Sequence, residues 1–175
     1  DQARALAEMV DKLLELARLT QGRQPLHLEW QPLEEIVGAA IRRLGPALNA
    51  HPVQLDLDPA LPLLEFDAVL IERVLGNLLD NAARHAPPGT PLAVEARVQG
   101  EVAEIGVRDA GPGFADAALA DASATQGLGL AICQAIVAAH GGSLRRENLP
   151  QGGARVRFTL PLGTPPSVNE EAEPA

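Results

Sequence analysis

Asp67-Ala68-Val69-Leu70-Ile71-Glu72-Arg73-Val74-Leu75-Gly76-Asn77-Leu78-Leu79-Asp80-Asn81-Ala82-Ala83-Arg84-His85-Ala86 is the stretch on which the fold turns. Asp67 stands where a helix N-cap is expected, and Pro87-Pro88-Gly89 ends the pattern. At 100° per residue, with Asn77 at zero, Ile71, Leu75, Leu78, Leu79 and Ala82 fill an arc from about 100° to 200° that would pack on a sheet. Asn81 falls at about 40°, Arg84 at about −20° and His85 at about 80°, so four polar groups share a second face. Two carboxamides one turn apart are poor helix formers, and a merely solvated face is more economically built from Glu or Lys. A neutral oxygen ligand with a cation beside it suits magnesium carried on a polyphosphate, where the metal keeps its waters and takes few protein ligands.

Outward from this helix the chain alternates. Upstream, apolar residues recur at helical spacing from Gln2 to Leu19 until Gly22 stops them, Leu26 to Trp30 reads as a short strand, and Pro32 opens a helix from Leu33 to about Leu48. The apolar stripe of the first helix is wide enough to pack on a partner helix or on its own domain. Val53 to Leu57 alternates as a strand until Pro59 and Pro62. Downstream, Leu92 to Val98 and Val102 to Arg108 read as a hairpin turning at Gln99-Gly100, Leu128 to His140 as a helix stopped by Gly141-Gly142, and Ser143 to Glu147 and Arg155 to Leu160 as two closing strands. The expected fold class is an α/β (α+β) two-layer sandwich, with a mixed, largely antiparallel sheet and helices on one face. The residues from Thr164 to Ala175 are rich in Pro and Glu and read as a disordered acidic tail.

Composition narrows the function. The 175 residues carry 14 Lys+Arg against 23 Asp+Glu, a net charge of −9, which argues against unaided binding to nucleic acid or to an anionic membrane surface. An anionic ligand must therefore be held locally. Aromatics are 2% with no Tyr, so the core rests on Leu, Val, Ile and Ala, and the single cysteine, Cys133, excludes an internal disulfide or a Cys-rich zinc site. No apolar run approaches the ~20 residues of a membrane span.

Two further elements carry chemistry. Asp109-Ala110-Gly111-Pro112-Gly113 follows a strand, where a carboxylate can accept a hydrogen bond from an exocyclic amine and the glycines let backbone approach a flat ring. Gly127-Leu128-Gly129-Leu130 runs into a helix N-terminus, whose unpaired amides suit phosphate oxygens. It is neither a dinucleotide fingerprint nor a Walker loop, because the third glycine of the first and the Gly-Lys-Ser/Thr of the second are absent.

An Asn-bearing helix, an Asp-x-Gly-x-Gly turn and a Gly-x-Gly-Leu helix start, in that order, resemble the N, G1 and G2 boxes of the Bergerat-fold (GHKL) ATP-binding domain of sensor histidine kinases. The resemblance covers Leu26 to Pro161 and continues in Ala131-Ile132-Cys133, His140-Gly141-Gly142 and Gly152-Gly153. Leu14-Glu15-Leu16-Ala17-Arg18-Leu19 and Glu29-Trp30-Gln31-Pro32-Leu33-Glu34-Glu35 look most like the potassium-sensing KdpD kinases. The resemblance implies three parts: residues 1–22, the end of a dimerisation and phosphoacceptor hairpin helix; residues 23–163, the ATP-binding domain; and residues 164–175, the tail.

It further implies ATP and magnesium as ligands, with Asn77, Asn81 and Arg84 as catalytic residues and Asn81 on the metal. His85 stands near the nucleotide where the family usually has Tyr, Asp109 reads the adenine amine, Gly111 and Gly113 shape the pocket, and Gly127, Leu128, Gly129 and Leu130 form the phosphate end. The implied partners are the phosphoacceptor hairpin of the full-length kinase and a response regulator receiver domain, in a homodimer whose catalytic part is the cytoplasmic domain of an inner-membrane sensor. Alternatives within the resemblance are a degenerate nucleotide sensor, a serine kinase and a hydrolytic ATPase; the last needs a Glu base where Asn77 stands. The chain departs from the family between Phe114 and Gln126, a short lid without Lys, Arg or a Phe-x-x-Phe pair, and Thr125 replaces the first G2 glycine. None of its four histidines lies in a phosphoacceptor context.

Overall fold

The computed structural model describes residues 2–22, 25–115 and 127–166. Five strands form one sheet in the order β2 (Val53–Leu57), β4 (Leu92–Gln99), β5 (Val102–Asp109), β7 (Ala154–Pro161), β6 (Leu144–Asn148). Only β2 and β4 pair in parallel; the other three pairings are antiparallel. A separate two-stranded ribbon joins β1 (Glu29–Gln31) to β3 (Leu64–Phe66). The sandwich class expected from the sequence is the one observed.

Alternation explains the layers. Ala103, Ile105 and Val107 of β5 and Ala154, Val156, Phe158 and Leu160 of β7 are buried under the helices, while Arg108, Arg155 and Arg157 face outward. There Arg108 and Arg155 both reach Glu95, at 3.0 and 3.4 Å, and Arg157 reaches Glu104 at 2.9 Å, so that face is neutralised by its own ion pairs. On the inner face lie α2 (Leu33–Leu44), α3 (Ala68–His85) and α4 (Gly127–Ala139), with α3 packed between the other two. The apolar arc read from the sequence is the buried face of α3, with Ile71, Val74, Leu75 and Leu79 fully enclosed. Asp67 caps this helix: its carboxylate accepts the Leu70 N–H at 3.1 Å and the His27 N–H at 3.0 Å.

Three boundaries differ from the sequence reading. Residues 26–28 are not strand, and β1 covers only Glu29–Gln31. The second helix ends at Leu44 with Gly45 at φ 32°, and a single 3-10 turn, Gly45–Leu48, follows because Pro46 cannot supply the next backbone donor. Strand β3 was not expected, since three residues between the Pro59 and Pro62 breaks and the Asp67 cap are too short to show alternation.

Helix α1 (Gln2–Thr20) packs against α4 and buries Leu19, yet leaves Leu6, Val10, Leu13 and Leu14 exposed. Among the described residues no helix is long and apolar enough to cross a membrane. The tail residues 167–175 and the segment 116–126 lie outside the described residues, so the readings of the tail, of the short lid and of Thr125 are not addressed by the structure.

Candidate functional site

Three chain-distant elements meet above one end of the sheet: the C-terminal half of α3, the turn leaving β5, and the start of α4. Asp109 is the last residue of β5, paired with Ala154 in the register, and its alternation with Ile105 and Val107 turns the side chain to the helix side. Its Oδ1 accepts the Gly111 N–H at 2.7 Å. Burial pushes the Asp109 carboxyl above its ordinary value, opposed by the Gly111 amide, the His85 charge and the Ala154 amide. A half-buried carboxylate kept short of solvent, with one oxygen satisfied by backbone, is suited to accept a hydrogen bond from a ligand on the other.

Gly111 is a glycine for steric reasons. A Cβ there would lie 2.8 Å from Asp109 Oδ1 and 2.8 Å from the His85 carbonyl oxygen, so the turn lies directly on the end of α3. Gly113 adopts φ +83°, a left-handed conformation that side chains resist, and a Cβ on it would meet Asn148 Oδ1 at 2.6 Å.

Asn77 and Asn81 are half-buried on α3, whereas Arg84 and His85 in its last turn are exposed. Asn77 favours the ionised form of the buried Cys133 thiol on α4 against the effect of burial, and the Cys133 sulfur donates to the Val74 carbonyl oxygen at 3.8 Å. Burial pushes that thiol up to about 12, so it is a neutral link between the two helices and not a nucleophile. Arg84 is ion-paired with Asp80 one turn earlier.

At the start of α4, Gly127 takes φ +77°, and among the described residues no atom outside the chain neighbours and the helix's own backbone lies within 4 Å of where a Cβ on Gly127 or Gly129 would stand. Leu130 is buried and Leu128 half-buried, anchoring the first turn. The structure thus brings Asp109, Gly111 and His85 together, while Arg84 is engaged by Asp80.

Among the described residues no cluster of three or more His, Cys, Asp or Glu could hold a metal ion. The half-buried carboxamides of Asn77 and Asn81 offer neutral oxygens of the kind that suits a magnesium carried on phosphate ligands, which takes one or two protein oxygens. The histidines are engaged structurally where they are buried: His51 Nδ1 lies 3.0 Å from the Thr90 carbonyl oxygen, and His140 donates from Nδ1 to the Ile136 carbonyl and accepts the Asp67 N–H on Nε2 at 3.1 Å.

One residue was missed in the sequence. Asn148 accepts the Phe114 N–H at 2.7 Å and donates to the Phe114 carbonyl at 2.9 Å. Nothing in its local sequence, Glu147-Asn148-Leu149-Pro150, distinguishes it from an ordinary strand end.

An Asn-bearing helix, a half-buried carboxylate followed by a glycine turn, and a glycine-rich helix start on one end of a mixed sheet define a GHKL-fold catalytic domain of the histidine kinase type. The chain belongs to the family of histidine kinase-, DNA gyrase B-, and HSP90-like ATPases, which residues 66–164 match. It is 41% identical to the sensor protein KdpD of Escherichia coli (strain K12), over 93% of this chain and 19% of that protein. It is 34% identical to the alginate biosynthesis sensor protein KinB of Pseudomonas aeruginosa, over 90% of this chain and 28% of that protein. The chain therefore spans less than a third of either relative. Among solved structures, the Acinetobacter baumannii histidine kinase AdeS superposes with a TM-score of 0.79 at 26% identity, covering 93% of this chain and 81% of that one. Full-length ShkA in complex with AMPPNP superposes with a TM-score of 0.80 at 25% identity, covering 93% and 37%.

Proposed function

We propose that this chain is the ATP-binding catalytic part of a two-component sensor histidine kinase, which presents the γ-phosphate of MgATP to a histidine on a dimerisation hairpin for relay to a response regulator aspartate. The observation that carries the reading is the pairing of the half-buried Asp109 carboxylate, set on the end of α3 by the Gly111 turn, with the glycine-rich α4 N-terminus. The first suits an exocyclic amine and the second suits phosphate oxygens. In this reading Asp109 binds the adenine amine, Gly111 and Gly113 let backbone lie along the ring, and His85 stands beside it.

Asn77 and Asn81 face the phosphates, with Asn81 the residue that would hold magnesium. Bound there, the metal supplies charge neutralisation at the β- and γ-phosphates. Asn77 has no basic carboxylate to take a proton from water, which favours transfer to a protein acceptor over hydrolysis. Arg84 reaches a phosphate by exchanging its Asp80 partner, an exposed pair of small energetic weight.

The bare apolar residues Leu6, Val10, Leu13 and Leu14 support α1 as the end of a hairpin helix that meets a partner helix in a full-length dimer. The likeness to KdpD supports a potassium-responsive sensor, with this part on the cytoplasmic side of an inner membrane. Calorimetric titration with ATP, with and without magnesium, tests the site: magnesium-dependent binding is expected. With γ-labelled ATP the chain alone should take up no acid-labile phosphate, and addition of a separate hairpin carrying an acceptor histidine should restore labelling. No binding of ATP under either condition would refute the reading.

A further inference from the structure

The turn that carries Asp109 has two feet. Asp109 pairs with Ala154 of β7, and Ala154 pairs with Asn148 of β6, so the three residues form one row across the end of the sheet. Two strand spacings separate β5 from β6, about 10 Å. The chain leaves β5 at Asp109, crosses above β7 as Ala110-Gly111-Pro112-Gly113, and arrives at Phe114 over β6. There the Asn148 carboxamide bonds both the N–H and the carbonyl of Phe114, as a neighbouring strand would.

The grip is reinforced from three sides. Arg146, two residues before Asn148 on the same face of β6, places its guanidinium 6.0 Å from the centroid of the buried Phe114 ring. The turn after Asn148 is closed by Leu149 N–H to the Gly153 carbonyl and Gly152 N–H to the Leu149 carbonyl, each 3.0 Å. Gly153 sits so close to the other foot that a Cβ on it would lie 2.2 Å from the Asp109 carbonyl oxygen. The absence of a side chain at Gly113 leaves room for the carboxamide itself.

We propose that Asn148 is a positioning residue for the nucleotide base: by pinning the far foot of the 109–114 turn it holds the glycine backbone in place and the Asp109 carboxylate aimed at the exocyclic amine. The inference rests on the reading of Asp109 as the adenine acceptor. It assigns a role in base selection to a strand-end residue outside the three sequence boxes.

The test compares Asn148→Ala and Asn148→Asp with the unaltered chain by calorimetric titration of MgATP and MgGTP, with amide exchange at Phe114 as a reading of the clamp. Asp keeps the acceptor for the Phe114 N–H and loses the donor to its carbonyl. Asn148→Ala should expose the Phe114 amide to exchange and weaken ATP about tenfold, with GTP changing by no more than about twofold, so that selectivity falls. Asn148→Asp should keep the amide protected and fall between, and it carries the test if the Ala variant does not fold. Unchanged ATP affinity in a folded Asn148→Ala variant, or equal weakening of both nucleotides, would overturn the inference while leaving the site intact. An unaltered chain with no preference for ATP over GTP would instead overturn the reading of Asp109, and the inference with it.

Discussion

Replacing Asp109 by Asn separates what this carboxylate does for the ligand from what it does for the fold. The side chain keeps an oxygen for the Gly111 amide, now 2.7 Å from Oδ1, and exchanges its charge and its second acceptor oxygen for an NH2 donor. A hydrogen bond to a charged group contributes about 1.5 to 3 kcal/mol, so Asp109→Asn should weaken ATP roughly ten- to a hundredfold. GTP, which offers the carboxylate an oxygen in place of the amine, should lose far less. Stability should move the other way. Burial raises the carboxyl in the fold above its ordinary 3.8, so the folded chain binds that proton more tightly than the unfolded chain does. The fold therefore gains stability as pH falls from above the folded value to the unfolded one, and above both values the ionised carboxylate subtracts from it. The Asn variant has no such proton to take, so its ligand-free form should be at least as stable as the unaltered chain at neutral pH and should lack that pH-dependent gain. Urea unfolding at several pH values and calorimetric titration with both nucleotides measure the two effects. Equal loss of ATP and GTP, or a variant markedly less stable at neutral pH, would refute the reasoning.

Three further outcomes follow from the geometry. Asn81→Ala should abolish the magnesium-dependent part of ATP binding with circular dichroism unchanged, since the side chain is only half-buried and lies off the enclosed apolar face of α3; normal MgATP binding would remove it from the site. Gly142→Ala would place a Cβ 1.8 Å from the Thr159 carbonyl oxygen and 3.1 Å from Val137, and should cost about 2 to 4 kcal/mol in urea unfolding by forcing α4 and β7 apart; a change below about 0.5 kcal/mol would contradict the packing. Cys133, fully buried with its thiol at about 12, should resist iodoacetamide in the native state at pH 8 and react only as fast as the protein unfolds, which mass spectrometry reads directly; prompt native labelling would refute its burial.

The sequence alone determined the elements whose signals are local. Helix α3 was legible because its apolar arc repeats over five turns and Asp67 and Pro87 mark its ends, and the strands of the β4–β5 hairpin because alternation runs through eight residues on each side of Gly100. Asn77, Asn81, Asp109, Gly111 and the Gly127-Leu128-Gly129-Leu130 start stood out as site candidates because each box is contiguous and the order of the boxes is informative. Tertiary structure decided everything that depends on partners far apart in the chain. Strand β3 exists through its register with β1, the parallel pairing of β2 with β4 places an edge that no local pattern encodes, and Arg84 is held by Asp80 while ligand-facing readings of the same helix face treat it as available. The burial that raises Asp109, the link from the Cys133 thiol to the Val74 carbonyl and the grip of Asn148 on Phe114 all arise between residues brought together only by packing. Hydrogen bonds and desolvation act over a few ångströms of space, and residue periodicity reports neighbours along the chain, so a contact spanning 34 positions leaves no periodic trace.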